Sequence, residues 1–114
     1  MRWQRDLMEQ LDSIHGKMKD LSIKTKAVEG RPCYLETYTR KGYGVTLRWR
    51  ASDHRHLTAD RALKLIRRLQ PTMRHWFNRA GLQAEQLNHS ERALRAQLRT
   101  LQASKSGAGT ERLL

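Results

Sequence analysis

The apolar residues of this chain keep one period at its two ends and abandon it in the middle. Leu7, Leu11, Ile14, Met18 and Leu21 alternate at spacings of 4 and 3, and Thr25 and Val28 continue the series. This is an a/d seam, a narrow apolar stripe that predicts a helix over 3–29. Gly30 suits the position just past a helix end, and Pro32 cannot continue one. A second seam runs through Met73, Trp76, Phe77, Ala80, Ala84, Leu87, Leu94, Leu98 and Leu101, with Glu91 its one polar member. It predicts a helix over 71–103, opened by Pro71 at its first position, with Gly81 as the expected place for a bend. Two long helices with such narrow stripes are expected to cover each other as an antiparallel helical hairpin.

Between the seams the period falls to two. Cys33-Tyr34-Leu35-Glu36-Thr37-Tyr38-Thr39 and Val45-Thr46-Leu47-Arg48-Trp49-Arg50 are rich in β-branched and aromatic residues, and Gly42 and Gly44 lie in the short loop between them. The pattern predicts a two-stranded antiparallel hairpin over 33–50. Its register stays open. A two-residue Lys41-Gly42 turn sets Tyr34 opposite Trp49. An odd-length loop sets Cys33, Leu35 and Thr37 against the apolar residues and leaves Tyr34 and Tyr38 beside the arginines, because one residue of slip exchanges the faces. Residues 51–57 read as a loop. Thr58 then suits an N-cap for a short helix over 58–70, with Ala62, Leu63, Ile66 and Leu69 as its apolar stripe.

At 114 residues and 38% hydrophobic, the chain has room for one core. The expected fold class is α+β: a long N-terminal helix, the hairpin, then a short and a long helix, in one domain over 1–103. Residues 104–114 have the composition of a disordered tail. The seams either close this core alone or continue into a homodimer. No apolar run is long enough to cross a membrane, and MRWQRDLMEQLD carries acids where a signal peptide is plainly apolar. The lone Cys33 suits a reducing cytoplasm.

Charge is concentrated in the middle. Residues 31–79 hold twelve Lys/Arg against three Asp/Glu, nine of the net twelve positive charges on the chain. Such a surface marks where a polyanion docks. The candidate nucleic-acid contacts are Arg40, Lys41, Tyr43, Arg48, Arg50, Arg55, Arg61, Lys64, Arg67, Arg68 and Arg74. Arginines neutralise phosphate, and the aromatics interleaved with them on the hairpin can stack unpaired bases. A two-stranded ribbon can also enter a major groove. Trp49 reads as core, and Tyr43 at the hairpin tip as exposed. The rival partner is an acidic protein, or a nucleoprotein complex, covered by the same basic face.

Catalysis finds little support. There is no glycine-rich phosphate loop before a helix, no nucleophile motif and no carboxylate pair on a strand. Asp53, His54 and His56 are close in sequence, but Arg55 among them opposes a cation, and no zinc spacing completes a set. Cys33 stands near Arg31, which can lower a thiol pKa, yet reads as a partly buried, inert thiol. No catalytic residue, metal or cofactor is therefore assigned.

The run Gly44-Val45-Thr46-Leu47-Arg48-Trp49-Arg50 resembles the T-x-L-R-W-R segment of small integrase-regulator-like proteins from integrative and conjugative elements. The Pro71 helix, with Leu87-Asn88 followed by Ser90 and Arg92, is similar to that family's helical second half. The resemblance spans residues 44–95 and implies a mobile-element setting with a DNA- or integrase-related role. It carries over no functional residues. Together these readings give a non-catalytic, nucleic-acid-binding accessory or regulatory protein. The alternative is a small phage- or plasmid-encoded inhibitor whose basic face binds a protein.

Overall fold

A computed structural model describes the backbone of residues 2–113 and the side chains of residues 2–104. The element order is α1 (Arg2–Lys26), β1 (Cys33–Arg40), β2 (Gly44–Ala51), β3 (His56–Leu57), α2 (Ala59–Arg67) and α3 (Pro71–Leu113). The α+β architecture matches the expectation, with one addition. Residues 56–57, inside the segment read as a loop, pair antiparallel with β2 at Trp49 and Arg50 and make a three-stranded sheet of order β1-β2-β3. A two-residue strand is too short to show a period, so the sequence offers no signal for it.

The helices differ from expectation at their ends. α1 stops at Lys26 rather than 29, and Val28 N donates to the Thr25 carbonyl in a tightened last turn. α2 stops at Arg67 rather than 70 and is capped as expected, with Thr58 Oγ1 accepting from the Arg61 amide. α3 runs unbroken through Gly81 and past 103 to Leu113. The tail assigned to 104–114 falls mostly on residues 105–114, whose side chains lie outside the described residues.

The register is the odd-loop one. Tyr34 pairs with Arg50, Leu35 with Trp49, Thr37 with Leu47 and Arg40 with Gly44. Three residues, Lys41, Gly42 and Tyr43, therefore make the turn. Apolar burial decides this choice, because it puts Cys33, Leu35, Leu47, Trp49 and Ala51 on one face together. Leu35 and Leu47 pack with Met18 and Leu21 of α1 and Ala80, Ala84 and Leu87 of α3. Cys33 packs with Ala62 and Ile66 of α2 and Phe77 of α3. Half-buried Trp49 touches both clusters, so it is the core residue the sequence suggested. Gly81 is where its ring approaches α3: a Cβ there would lie 3.3 Å from Trp49 Cζ2. Trp76, counted on the seam, is 37% exposed and lies against the Phe77 ring edge-on.

The helices also finish the hairpin's edges, which would otherwise present bare amides and carbonyls. Buried Thr25 of α1 accepts from the Leu35 amide at 3.0 Å on the β1 edge. On the β2 edge, Asn88 of α3 accepts from the Leu47 amide at 2.7 Å and donates to the Leu47 carbonyl at 3.1 Å. These bonds fix how far the strands slide along the helices.

Candidate nucleic-acid interface

All three helices pack on the Leu35/Trp49 face, and the pleat sends alternate residues the other way. Tyr34, Glu36 and Tyr38 of β1 and Thr46, Arg48 and Arg50 of β2 therefore rise from the open face.

At the tip, Tyr43 N donates to the Arg40 carbonyl at 2.9 Å, with Gly42 at φ 82°. The tip is held against α3: Arg99 Nη2 donates to the Gly42 carbonyl at 2.9 Å. Gly44, at φ 95°, has no room for a Cβ, which would collide with Glu91 Oε1 and lie 2.9 Å from Arg95 Nε. Glu91 itself is 1% exposed. Its carboxylate accepts from Arg95 Nε and Nη2 at 3.2 Å and from the Val45 amide at 3.3 Å, and it pairs with His15 Nε2 of α1. Burial pushes this carboxyl up. The bonds from Arg95, His15 and Val45 outweigh burial and hold it below its ordinary value. One carboxylate thus ties α1, β2 and α3 together.

Beside this brace is a cavity of about 170 Å³ whose lining includes Tyr38, Arg40, Tyr43, Arg48 and Arg92, and no acidic residue. The rings and guanidinium groups are already paired. Arg48 lies over Tyr38 at 4.5 Å, and Arg40 lies over Tyr43 at 4.7 Å with Arg99 at 5.9 Å. Each such contact is worth about 0.5–1 kcal/mol at an exposed site, enough to bias a long side chain toward one place. Tyr43 still keeps 66% of its surface exposed, and Tyr38 36%.

The far end of the same face is built differently. Tyr34 is 2% exposed, with Arg31 over its ring at 4.9 Å and its hydroxyl 2.7 Å from His54 Nδ1. His54 sits at φ 72°, and Arg50 Nη1 donates to its carbonyl at 3.0 Å. The Nε groups of Arg31 and Arg50 are buried with no hydrogen-bond partner. Leaving a buried donor unmet costs about 1–3 kcal/mol. The face's one acid, Glu36, is turned to Lys26 at 2.7 Å.

Of the residues chosen from sequence, the fold gathers Arg40, Tyr43 and Arg48 around one cavity. Lys41 is beside them in the turn, and Arg50 lies further along the face. It does not bring the others there. Arg55 is in the exposed 52–55 loop, bonded to Asp53 at 2.6 Å. Arg61, Lys64, Arg67 and Arg68 belong to the helical layer, with Lys64 3.5 Å from Asp60, and Arg74 lies in the first turns of α3. Tyr38, Arg92 and Arg99 enter the site without having been chosen. Arg92, Arg95 and Arg99 follow at spacings of 3 and 4, the one available signal that they share a helix face.

A larger groove of about 460 Å³ between α2 and α3 has Trp49, Leu63, Phe77 and Leu82 in its wall and Asp60 and Glu85 at its rim. Its acidic, apolar character is the reverse of the hairpin cavity. Among the described residues no group of three or more His, Cys, Asp or Glu is placed to hold a metal ion, and no helix is long and apolar enough to cross a membrane. Burial pushes the Cys33 thiol up to about 11, which makes it a poor nucleophile at neutral pH. The chain matches no known family, no curated protein and no solved structure with which it was compared.

Proposed function

We propose that this chain is a non-catalytic nucleic-acid-binding accessory protein that docks through the open face of its hairpin together with the Arg92 side of α3. The observation that carries the reading is the convergence of Arg40, Arg48 and Arg92 on one acid-free cavity beside two partly exposed tyrosines. Guanidinium groups meet phosphate oxygens two at a time, and a cluster of them from two separate elements is a geometry that phosphate fits. The concentration of charge over residues 31–79 supports it from the sequence side. A role in a mobile genetic element rests on the resemblance of residues 44–95 alone, and a cytoplasmic setting on the lone Cys33.

Fluorescence anisotropy with labelled single-stranded DNA, duplex DNA and single-stranded RNA tests the proposal. Contacts from Arg40, Arg48, Arg50 and Arg92 would make affinity fall about 50- to 150-fold between about 50 and 200 mM salt. Arg48→Glu and Arg92→Glu are each expected to weaken binding and flatten the salt slope by about one. Absence of binding to all three ligands at about 50 mM salt refutes the proposal and favours the rival reading, a small interaction or inhibitor protein.

A further inference from the structure

We infer, resting on the reading above, that the ligand of the open face is an unpaired strand, one of whose bases stacks on Tyr43 while its phosphates follow the arginines of β2.

The argument starts from what the hairpin is attached to. A two-stranded ribbon reads duplex DNA by lying in the major groove, which is about 12 Å wide. Here one ribbon face is covered by helices, and a helix laid on a sheet makes a body about 20 Å thick. Each edge is tied to a helix at one residue, Leu35 of β1 to Thr25 and Leu47 of β2 to Asn88. The tip does not project beyond the helices: Arg99 holds Gly42, and Glu91 holds Val45. The hairpin therefore has no freestanding part to put into a groove. In a duplex the bases are stacked on one another, so the exposed Tyr43 ring would find no free base face.

An unpaired strand uses all of it. Every base has a flat face, and stacking on an exposed aromatic needs no particular sequence. Tyr43 is the most exposed aromatic on the face, and Arg40 and Arg99 lie over its ring, so a base that stacks there displaces a guanidinium group, which is then beside the base's own phosphate. Beyond the cavity of Arg40, Arg48 and Arg92, the open face of β2, a strand about 25 Å long, carries Arg50 two residues after Arg48. Arg50 spends Nη1 on the His54 carbonyl, and Arg31 stands beyond it over the Tyr34 ring. The path thus begins at a base-sized aromatic and continues over a row of guanidinium groups. Glu36 does not oppose it, because Lys26 neutralises it.

The test compares wild type with Tyr43→Ala and Tyr43→Phe, using a labelled 20-nucleotide dT strand, the matching rU strand and a blunt 20-base-pair duplex. Tyr43 is exposed, so neither substitution should alter folding, which circular dichroism checks. Tyr43→Ala should weaken binding to the single strands by about 5- to 150-fold and leave the duplex unchanged, while Tyr43→Phe keeps wild-type affinity. The dT and rU arms separate DNA from RNA as the source of the strand. Duplex bound as tightly as single strands, with no effect of Tyr43→Ala on either, overturns the inference but leaves nucleic-acid binding standing. No binding by wild type to any of the three overturns both.

Discussion

Replacing Glu91 probes the joint on which the proposed site depends. The carboxylate is 1% exposed and receives Arg95, His15 and the Val45 amide. Glu91→Gln keeps the shape and the bond to Val45 but removes the charge, so the contacts from Arg95 and His15 fall from charged to neutral strength or turn donor against donor. Hydrogen bonds to charged groups contribute about 1.5–3 kcal/mol each and neutral ones about 0.5–1.5. Arg95 and His15 are partly exposed and recover some of the loss in water, which sets the expected cost near 2 kcal/mol. Glu91→Ala also strips the acceptor from the Val45 amide, raising the cost to about 3–4 kcal/mol and lowering Tm by about 10 °C or more. The pH dependence has a definite sign. The carboxyl is held below its ordinary 4.5, so its contribution is fully present above that value and disappears as pH falls through the lower folded value. Urea unfolding of wild type and Glu91→Gln, followed by circular dichroism, should show a gap that is constant near neutrality and closes in acid. A gap below about 0.5 kcal/mol at neutral pH, or one that does not shrink in acid, would refute the account of Glu91 as a charged brace.

Three further outcomes follow from other parts of the molecule. Arg48→Glu should reduce single-strand affinity more than Arg67→Glu, because Arg48 lines the cavity and Arg67 lies on the helical layer; equal losses in the same anisotropy titration would mean the docking face extends over α2. Gly44→Ala should destabilise by about 1–3 kcal/mol in urea, since its φ of 95° is strained for any side chain and the added methyl meets Glu91 and Arg95. Cys33, buried with its thiol pushed up to about 11, should resist a disulfide reagent at neutral pH and react only at the rate of unfolding; prompt labelling of the native protein would show that the β1 end of the core opens.

The fold was readable where a period runs long enough to count. The two seams and the alternation of β2 each repeat over several residues, and all three form as expected. The register was not readable, because the turn admits either two or three residues and the strands are plausible both ways. What settles it is the packing of Leu35 and Leu47 against Met18, Leu21 and Ala84, long-range contacts that no local pattern expresses. His56–Leu57 was missed for the opposite reason: it is too short to have a pattern and exists because Trp49 and Arg50 offer it an edge.

The candidate site divides along the same line, and the division explains why a count of charge located it only partly. Summing arginines over residues 31–79 finds Arg40 and Arg48, because the hairpin that carries them is local. It also takes in the α2 cations, which are near in sequence but belong to the helical layer. It leaves out Arg92 and Arg99, which reach the hairpin only because Glu91 and Asn88 seat α3 on the β2 edge. Glu91 was visible as the one polar residue on an apolar seam, where it would be read as a flaw in the stripe. Its place on the seam is instead what lets it face Val45, and Arg92, one residue further around the helix, is then turned toward the cavity. The acid in the core and the base in the site are thus consecutive residues with a single cause. A shift of α3 along the hairpin by one residue would lose both, so Asn88→Ala, which removes the two bonds fixing that shift, should weaken single-strand binding even though Asn88 carries no charge. Anisotropy on folded Asn88→Ala decides it: unchanged affinity would mean that Arg92 does not need the edge bonds to reach the site.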